Sequence, residues 1–362
     1  MPPPLLRHIA ADAEAFGARR LTPEIRAKAR LCLLDFLGCA IEAADLPWSR
    51  QAAATAAPGD AATILAGGRS TVEDAAFANA VAGHGLVRED MHAPSIAHLG
   101  VVVWPPLLAL AESRRIDGEA LIRAAALGYE IGGRIGRVVV TPEVARLFRP
   151  TGIVGPIVAA FAGAAALGLD AETACNAAAL AANCSAGLNE WPRHGADEMY
   201  FHPGFAVRNG LRALRLAEAG AAASPTILEG PAGTVAAYAR KPAPERIALF
   251  PGGDAEILAV FNKPVPACNF APSPCQAAVA ALRAAGAAAR DIRTVRIDTY
   301  AAALNYPGCA HPGPFRTPLQ AKMSILFGVA AALARGEIAE ANYARLDDPE
   351  IARLIGVAEL AL

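Results

Sequence analysis

Apolar residues recur at three- and four-residue intervals over most of the first two thirds of the chain, the period of helices with one face turned inward. The first long helix starts at Thr22, a good N-cap, with Pro23 at the first helical position and Glu24 at the positive end of the helix. Ile25, Ala29, Cys32, Leu33 and Phe36 then share a stripe. The same spacing predicts helices over 70–87, 101–113, 118–136 and 202–220. Between them, Pro150 to Leu169 and Thr173 to Asn189 carry no charge and read as two alanine-rich helices buried on all sides. Up to about residue 245 hardly a segment has the alternation of a strand.

The pattern then changes. Lys241-Pro242-Ala243-Pro244 and Pro251-Gly252-Gly253 punctuate the chain, and Ile257–Phe261 reads as a strand or a short link. A helix follows over 273–287. Residues 291–300 alternate polar and β-branched positions and form the best strand of the sequence; another helix runs over 320–335 and stops at Gly336. Residues 351–362 look like an unfinished strand or helix. The fold expected is mainly α: an all-α domain over 1–255 and a smaller α+β domain over 256–362, possibly incomplete at the C-terminus.

Composition narrows the function classes. Of 362 residues 54% are hydrophobic, largely alanine, and 33 basic residues nearly cancel 34 acidic ones, so no nucleic-acid surface is implied. Pro150–Leu169 has the length of a bilayer span, but its glycines, prolines and alanines fit a soluble core better. The N-terminus lacks a signal-peptide pattern, so a cytoplasmic protein is expected. The seven cysteines form no CxxC, which argues against a disulfide framework, a zinc site and an iron–sulfur cluster. Only four basic residues are lysines (Lys28, Lys241, Lys263 and Lys322), each a candidate for a task arginine cannot perform.

The densest polar cluster lies between two apolar helices and contains Arg88, Glu89, Asp90, His92 and His98. Two acids and two histidines there can supply a general base together with an acid. His92 and His98 with an acid could ligate a metal, but their six-residue spacing matches no helical or turn ligand pair, so no metal is assigned. A second cluster holds Glu190, His194 and His202, with His202 just ahead of a helix; a third surrounds Lys263 and Cys268 where the two compositional regions meet; Arg149 is a fourth candidate, as a carboxylate partner. No nucleophile elbow, P-loop or dinucleotide-binding glycine motif is present.

In order along the chain, Ala29–Ala40, Ala78–Leu86, Glu89–Gly100, Phe148–Gly152, Phe201–Ala206, Ile227–Gly230, Lys263–Cys268 and Ala321–Ser324 resemble the motifs of the MmgE/PrpD family. That family includes 2-methylcitrate dehydratase, cis-aconitate decarboxylase and iminodisuccinate epimerase. The resemblance implies a helical domain and a smaller lid domain, usually in a homodimer, with a site in the cleft between them. It also implies proton removal next to a carboxylate, without metal or organic cofactor. By position it makes His98 the site histidine, Asp90 the second of its paired acids, Lys263 the lid-side lysine and His202 a further site histidine. On that basis His98, oriented by Asp90 or Glu89, is expected to take the proton and His202 to protonate a departing hydroxyl, with Arg149, His92, His194 and Cys268 toward a small di- or tricarboxylate. The expected reaction is that of a hydro-lyase, with an epimerase, an isomerase, a decarboxylase or a non-catalytic carboxylate binder as alternatives. Four departures stand out: Val87 where the family has an aspartate, Met91 where it has threonine or serine, Arg149 where it has histidine, and Met199 where it has lysine.

Overall fold

The computed structural model describes residues 3–17 and 21–362. The chain packs into two compact units. The first comprises residues 1–85, 89–188 and 200–262; the second comprises 86–88, 189–199 and 263–362. The division falls after Asn262, seven residues beyond the expected boundary. Glu256 is the reason: it is buried among Arg134, Arg137 and His92 of the first unit.

The first unit is helical: α1 (Leu5–Gly17), α2 (Pro23–Glu42), α3 (Pro47–Ala54), α4 (Val72–His84), α5 (Gly100–Arg114), α6 (Gly118–Val139), α7 (Pro142–Leu147), α8 (Pro150–Ala166) and α9 (Ala171–Ala182). Helix starts follow local chemistry. Thr22, Thr71, Asp117 and Asp170 each accept a hydrogen bond from a first-turn amide of the helix they precede. Helix α8 is buried along almost its entire length and packs against α5, α6 and α9. Its glycines and alanines allow that approach, and no helix among the described residues is long and apolar enough to cross a membrane.

Two expectations change. Residues 58–70 form a small antiparallel hairpin, β1 (Pro58–Thr63) with β2 (Arg69–Ser70), where no strand is predicted. Its signal is the turn rather than the strands, since Gly67 and Gly68 both adopt positive φ. The helix expected from residue 202 instead begins upstream and runs as one element from Glu198 to Glu218 (α11, after the short α10, Trp191–His194), with Pro203 inside it. A two-residue pair, β3 (Met91–His92) with β4 (Val260–Phe261), completes the first unit's strands.

The second unit is the α+β part. Its helices are α12 (Pro272–Ala285), α13 (Ala301–Asn305), α14 (Pro318–Met323), α15 (Ile325–Arg335) and α16 (Pro349–Gly356). The strand expected over 291–300 narrows to β5 (Val295–Asp298), which pairs in parallel with β6 (Ala358–Ala361). The single helix expected over 320–335 is two, because Ser324 adopts extended geometry and caps α15 through its side chain. Gly336, at φ 70°, ends α15.

Candidate active site

The last residue of α4, the loop after it and the first turn of α8 bring four side chains together in the interior of the first unit. His84, Glu89, His98 and Arg149 are all at least 95% buried. Charged groups so buried need partners, and here they pair with one another. Glu89 Oε1 accepts a short hydrogen bond from His84 Nδ1 and lies 2.8 Å from His98 Nδ1. Arg149 donates to His84 Nε2 at 2.8 Å. The His84 and His98 rings meet edge-on, with centroids 5.1 Å apart. Burial alone would raise the Glu89 pKa, but the hydrogen bonds it accepts from the two imidazoles hold it well below the usual carboxylate range.

Proton positions on His98 follow from its neighbours. Its Nδ1 donates to the Asp90 carbonyl at 3.0 Å as well as facing Glu89, so both groups at this nitrogen are acceptors. The proton therefore sits on Nδ1 and the basic lone pair on Nε2. The backbone is fixed too: His98 N–H donates to Thr151 Oγ1 in the first turn of α8 at 3.0 Å.

Of the two acids expected to orient His98, Glu89 lies at its ring with its carboxylate and Asp90 with its main-chain oxygen. The Asp90 carboxylate accepts from Gly100 N–H at 2.9 Å, at the start of α5, and takes a short bond from Tyr129 Oη–H of α6. Tyr129 in turn accepts from Trp104 Nε1 at 3.1 Å. Burial pushes the Asp90 carboxyl up to about 7 despite these donors, helped by the neighbouring charges of Asp35 and Glu89. Gly100 is required here, because a Cβ at that position would lie 2.7 Å from Asp90 Oδ2.

His202 lies in the first turns of α11, beside Gly187 and Arg149. Burial, then the charge of Arg149, lowers its pKa to about 3. With that shift it is a neutral imidazole at ordinary pH. Its Nδ1 and Glu89 Oε2 are buried atoms without a hydrogen-bond partner among the described residues.

His92 belongs to another network. Its Nδ1 meets Ser95 Oγ and its Nε2 meets Glu256 Oε2, both at 2.7 Å, while Arg134 and Arg137 hold Glu256. With both ring nitrogens so engaged, His92 ties the loop to Glu256.

The remaining predicted residues belong to the second unit. Lys263 is buried and donates to the carbonyls of Val87, in a short bond, and of Ala267, at 2.9 Å. Lys322 donates to the carbonyl of Leu86 at 3.1 Å and pairs with Glu340 at 2.7 Å. Two of the four lysines thus grip consecutive carbonyls of the 86–88 segment, each with a compact ammonium. Val87 itself has φ 58°, a strained left-handed conformation for a β-branched residue. Cys268 is buried with its Sγ 3.4 Å from Cys309 Sγ, and His194 is exposed beside Glu190.

His84, Thr151 and Tyr129 were absent from the expected site. His84 and Thr151 stand inside motif segments quoted above, but neither type nor spacing singled them out; Tyr129 sits in a helix whose pattern shows only burial. His84, Glu89 and His98 also offer three potential metal-ligand atoms within 4.8 Å of one another. The donor set argues against a cation there. Arginine only donates, so its bond to Nε2 puts the His84 proton on Nδ1, the nitrogen a metal would need bare.

Two domain models of one family match the chain in succession. Residues 7–247 match the model of the MmgE/PrpD N-terminal domain, and 265–360 match that of the MmgE/PrpD C-terminal domain. A cis-aconitate decarboxylase of Aspergillus terreus is 29% identical over 216 residues, 57% of this chain and 44% of that protein. A cis-aconitate decarboxylase-like protein, oryM, of Aspergillus oryzae is 27% identical over 209 residues, 54% of this chain and 43% of that protein. The matched stretch spans less than half the length of these curated relatives. With both of its domain models matched in order across most of the sequence, the chain belongs to the MmgE/PrpD family.

Proposed function

We propose that the protein is a lyase acting on a small di- or tricarboxylate, with His98 moving a proton at the carbon next to a carboxylate. The observation that carries this reading is the Glu89–His98 pair: a buried carboxylate holds the proton on Nδ1 and so presents the lone pair of Nε2 as a base. A proton next to a carboxylate is weakly acidic, so the barrier is dominated by charge that develops as it leaves. Glu89 stabilises the imidazolium as His98 takes up that proton. Arg149 supplies positive charge next to the group and favours a substrate of negative charge. No metal or organic cofactor enters this scheme.

The leaving group separates two readings. As a hydro-lyase, the enzyme would expel hydroxide from the carbon beside the enediolate. The second reading, a decarboxylase, would exchange a carboxylate for a proton with release of carbon dioxide; the cis-aconitate decarboxylases among its relatives favour it. We further propose that the protein is cytoplasmic and forms a homodimer, the second of which light scattering tests.

Purified protein incubated with 2-methylcitrate, citrate and cis-aconitate, followed by proton NMR in deuterated buffer, tests the proposal. Alkene formation marks the hydro-lyase, loss of a carboxylate the decarboxylase, and deuterium wash-in without either an epimerase. His98→Ala should lower turnover by about 10²–10⁴. Intact turnover in that variant would remove His98 as the base, and calorimetric binding of these acids with no turnover would leave a carboxylate-binding protein in place of an enzyme.

A further inference from the structure

We propose that Arg149 is a positioning residue that locks the tautomer of His84 and thereby reserves the charge of Glu89 for His98. For its catalytic consequence this rests on the function proposed above; for its structural content it does not.

The chemistry of each group in the chain restricts where its protons can lie. A guanidinium has only N–H donors and does not lose its proton in a protein. Its contact with His84 Nε2, at 2.8 Å, therefore needs a lone pair on that nitrogen. The His84 proton is left on Nδ1, where it points at Glu89 Oε1. The chain Arg149, His84, Glu89, His98 then has one consistent polarity, with every N–H directed toward the carboxylate. His84 also cannot take up a second proton without setting an N–H against the guanidinium.

The electrostatic result concerns Glu89. Two imidazoles share one of its oxygens, and a cationic His84 would compete with His98 for its single negative charge. With His84 held neutral, Glu89 compensates only the imidazolium that forms when His98 accepts a proton. Other groups act on the same cluster. His202 of α11 stands near Arg149 and His84 as a neutral imidazole, and Asp90 contributes its carbonyl to His98 while its carboxyl is occupied by Tyr129 and Gly100. The donor that meets His84 Nε2 is Arg149. A histidine, which the family resemblance gives for position 149, could donate or accept there; arginine removes that choice, so the substitution makes the polarity of the chain obligatory.

Long-range nitrogen–proton correlation NMR of labelled protein without substrate reads the tautomer directly, with the His84 signals assigned by their loss in His84→Gln. The expected result is one neutral His84 form protonated at Nδ1 from pH 6 to 8, unchanged in Arg149→Lys, which retains a donor. In Arg149→Met, of similar length and apolar, His84 should become a tautomer mixture or gain a second proton. On any acid that the wild type turns over, the acid limb of the pH–rate profile should then shift by about one unit. A wild-type His84 protonated at Nε2, or a His84 spectrum unaltered in Arg149→Met, would overturn the proposal. Because the spectra need no turnover, a protein inactive on every acid would defeat the functional reading and leave the tautomer question decided.

Discussion

Glu89 and Asp90 are neighbours in sequence and both buried, yet their carboxyl groups shift in opposite directions. Glu89 faces two imidazoles and stays ionised. Asp90 faces neutral donors, so burial prevails and raises its pKa to about 7. Between about pH 4 and pH 7 folded Asp90 then binds a proton that the unfolded chain, with a carboxyl near 3.9, does not. Its contribution to stability is therefore fully present below about pH 4 and is lost as pH rises toward 7. Urea denaturation across that window should show wild type losing stability relative to Asp90→Asn as pH increases; parallel curves would contradict the shift. Tyr129→Phe, which removes the donor to Asp90 and the acceptor of Trp104, should cost about 1–3 kcal/mol. The sequence marked both acids as candidates but gave no means to tell them apart, because their roles depend on partners 5 to 39 residues away in the chain.

At the scale of elements, what was legible is what local chemistry decides. Thr22 and Pro23 start α2 where they predict a start, and Gly336 ends α15. Expectation and structure part where a distant partner decides. The 58–63 strand exists because a local turn returns 69–70 beside it, whereas β5 finds its partner some sixty residues later in β6. The start of α5 shows how tightly an element can be tied to the site. Alanine normally stabilises a helix by about 1 kcal/mol relative to glycine. At Gly100 the added methyl would press on the Asp90 carboxylate from 2.7 Å. Gly100→Ala should therefore destabilise by about 1–3 kcal/mol, the usual range for an overpacked core, and a chemical melt monitored by circular dichroism would measure it.

For the whole molecule, the two family domains and the mainly α architecture were readable from periodicity and ordered motifs, whereas the assignment of chain segments to units was not. Residues 86–88 and 189–199 belong to the second unit although their flanking sequence reads as first-unit helix. The sparse lysines were the available signal. Their rarity points to a special task for each, and for Lys263 and Lys322 that task is to hold the carbonyls of Val87 and Leu86. Lys322→Met should cost about 3 kcal/mol, because it leaves a buried carbonyl and the Glu340 carboxylate without their cation. Lys322→Arg should fail to restore that loss in the same denaturation experiment, since a planar guanidinium does not replace a compact point charge.

Those lysine grips also set an order of events during synthesis. Lys263 follows the residue it holds by 176 positions and Lys322 follows by 236. A ribosome has therefore released Leu86 and Val87 long before either ammonium exists to meet them, and such distant closures are slow. Until then the strained turn at Val87 has no counterweight and its carbonyls rely on water. In a pulse-labelled refolding experiment, the amides of residues 86–90 should gain protection from exchange after those of α8, whose partners lie closer in the chain.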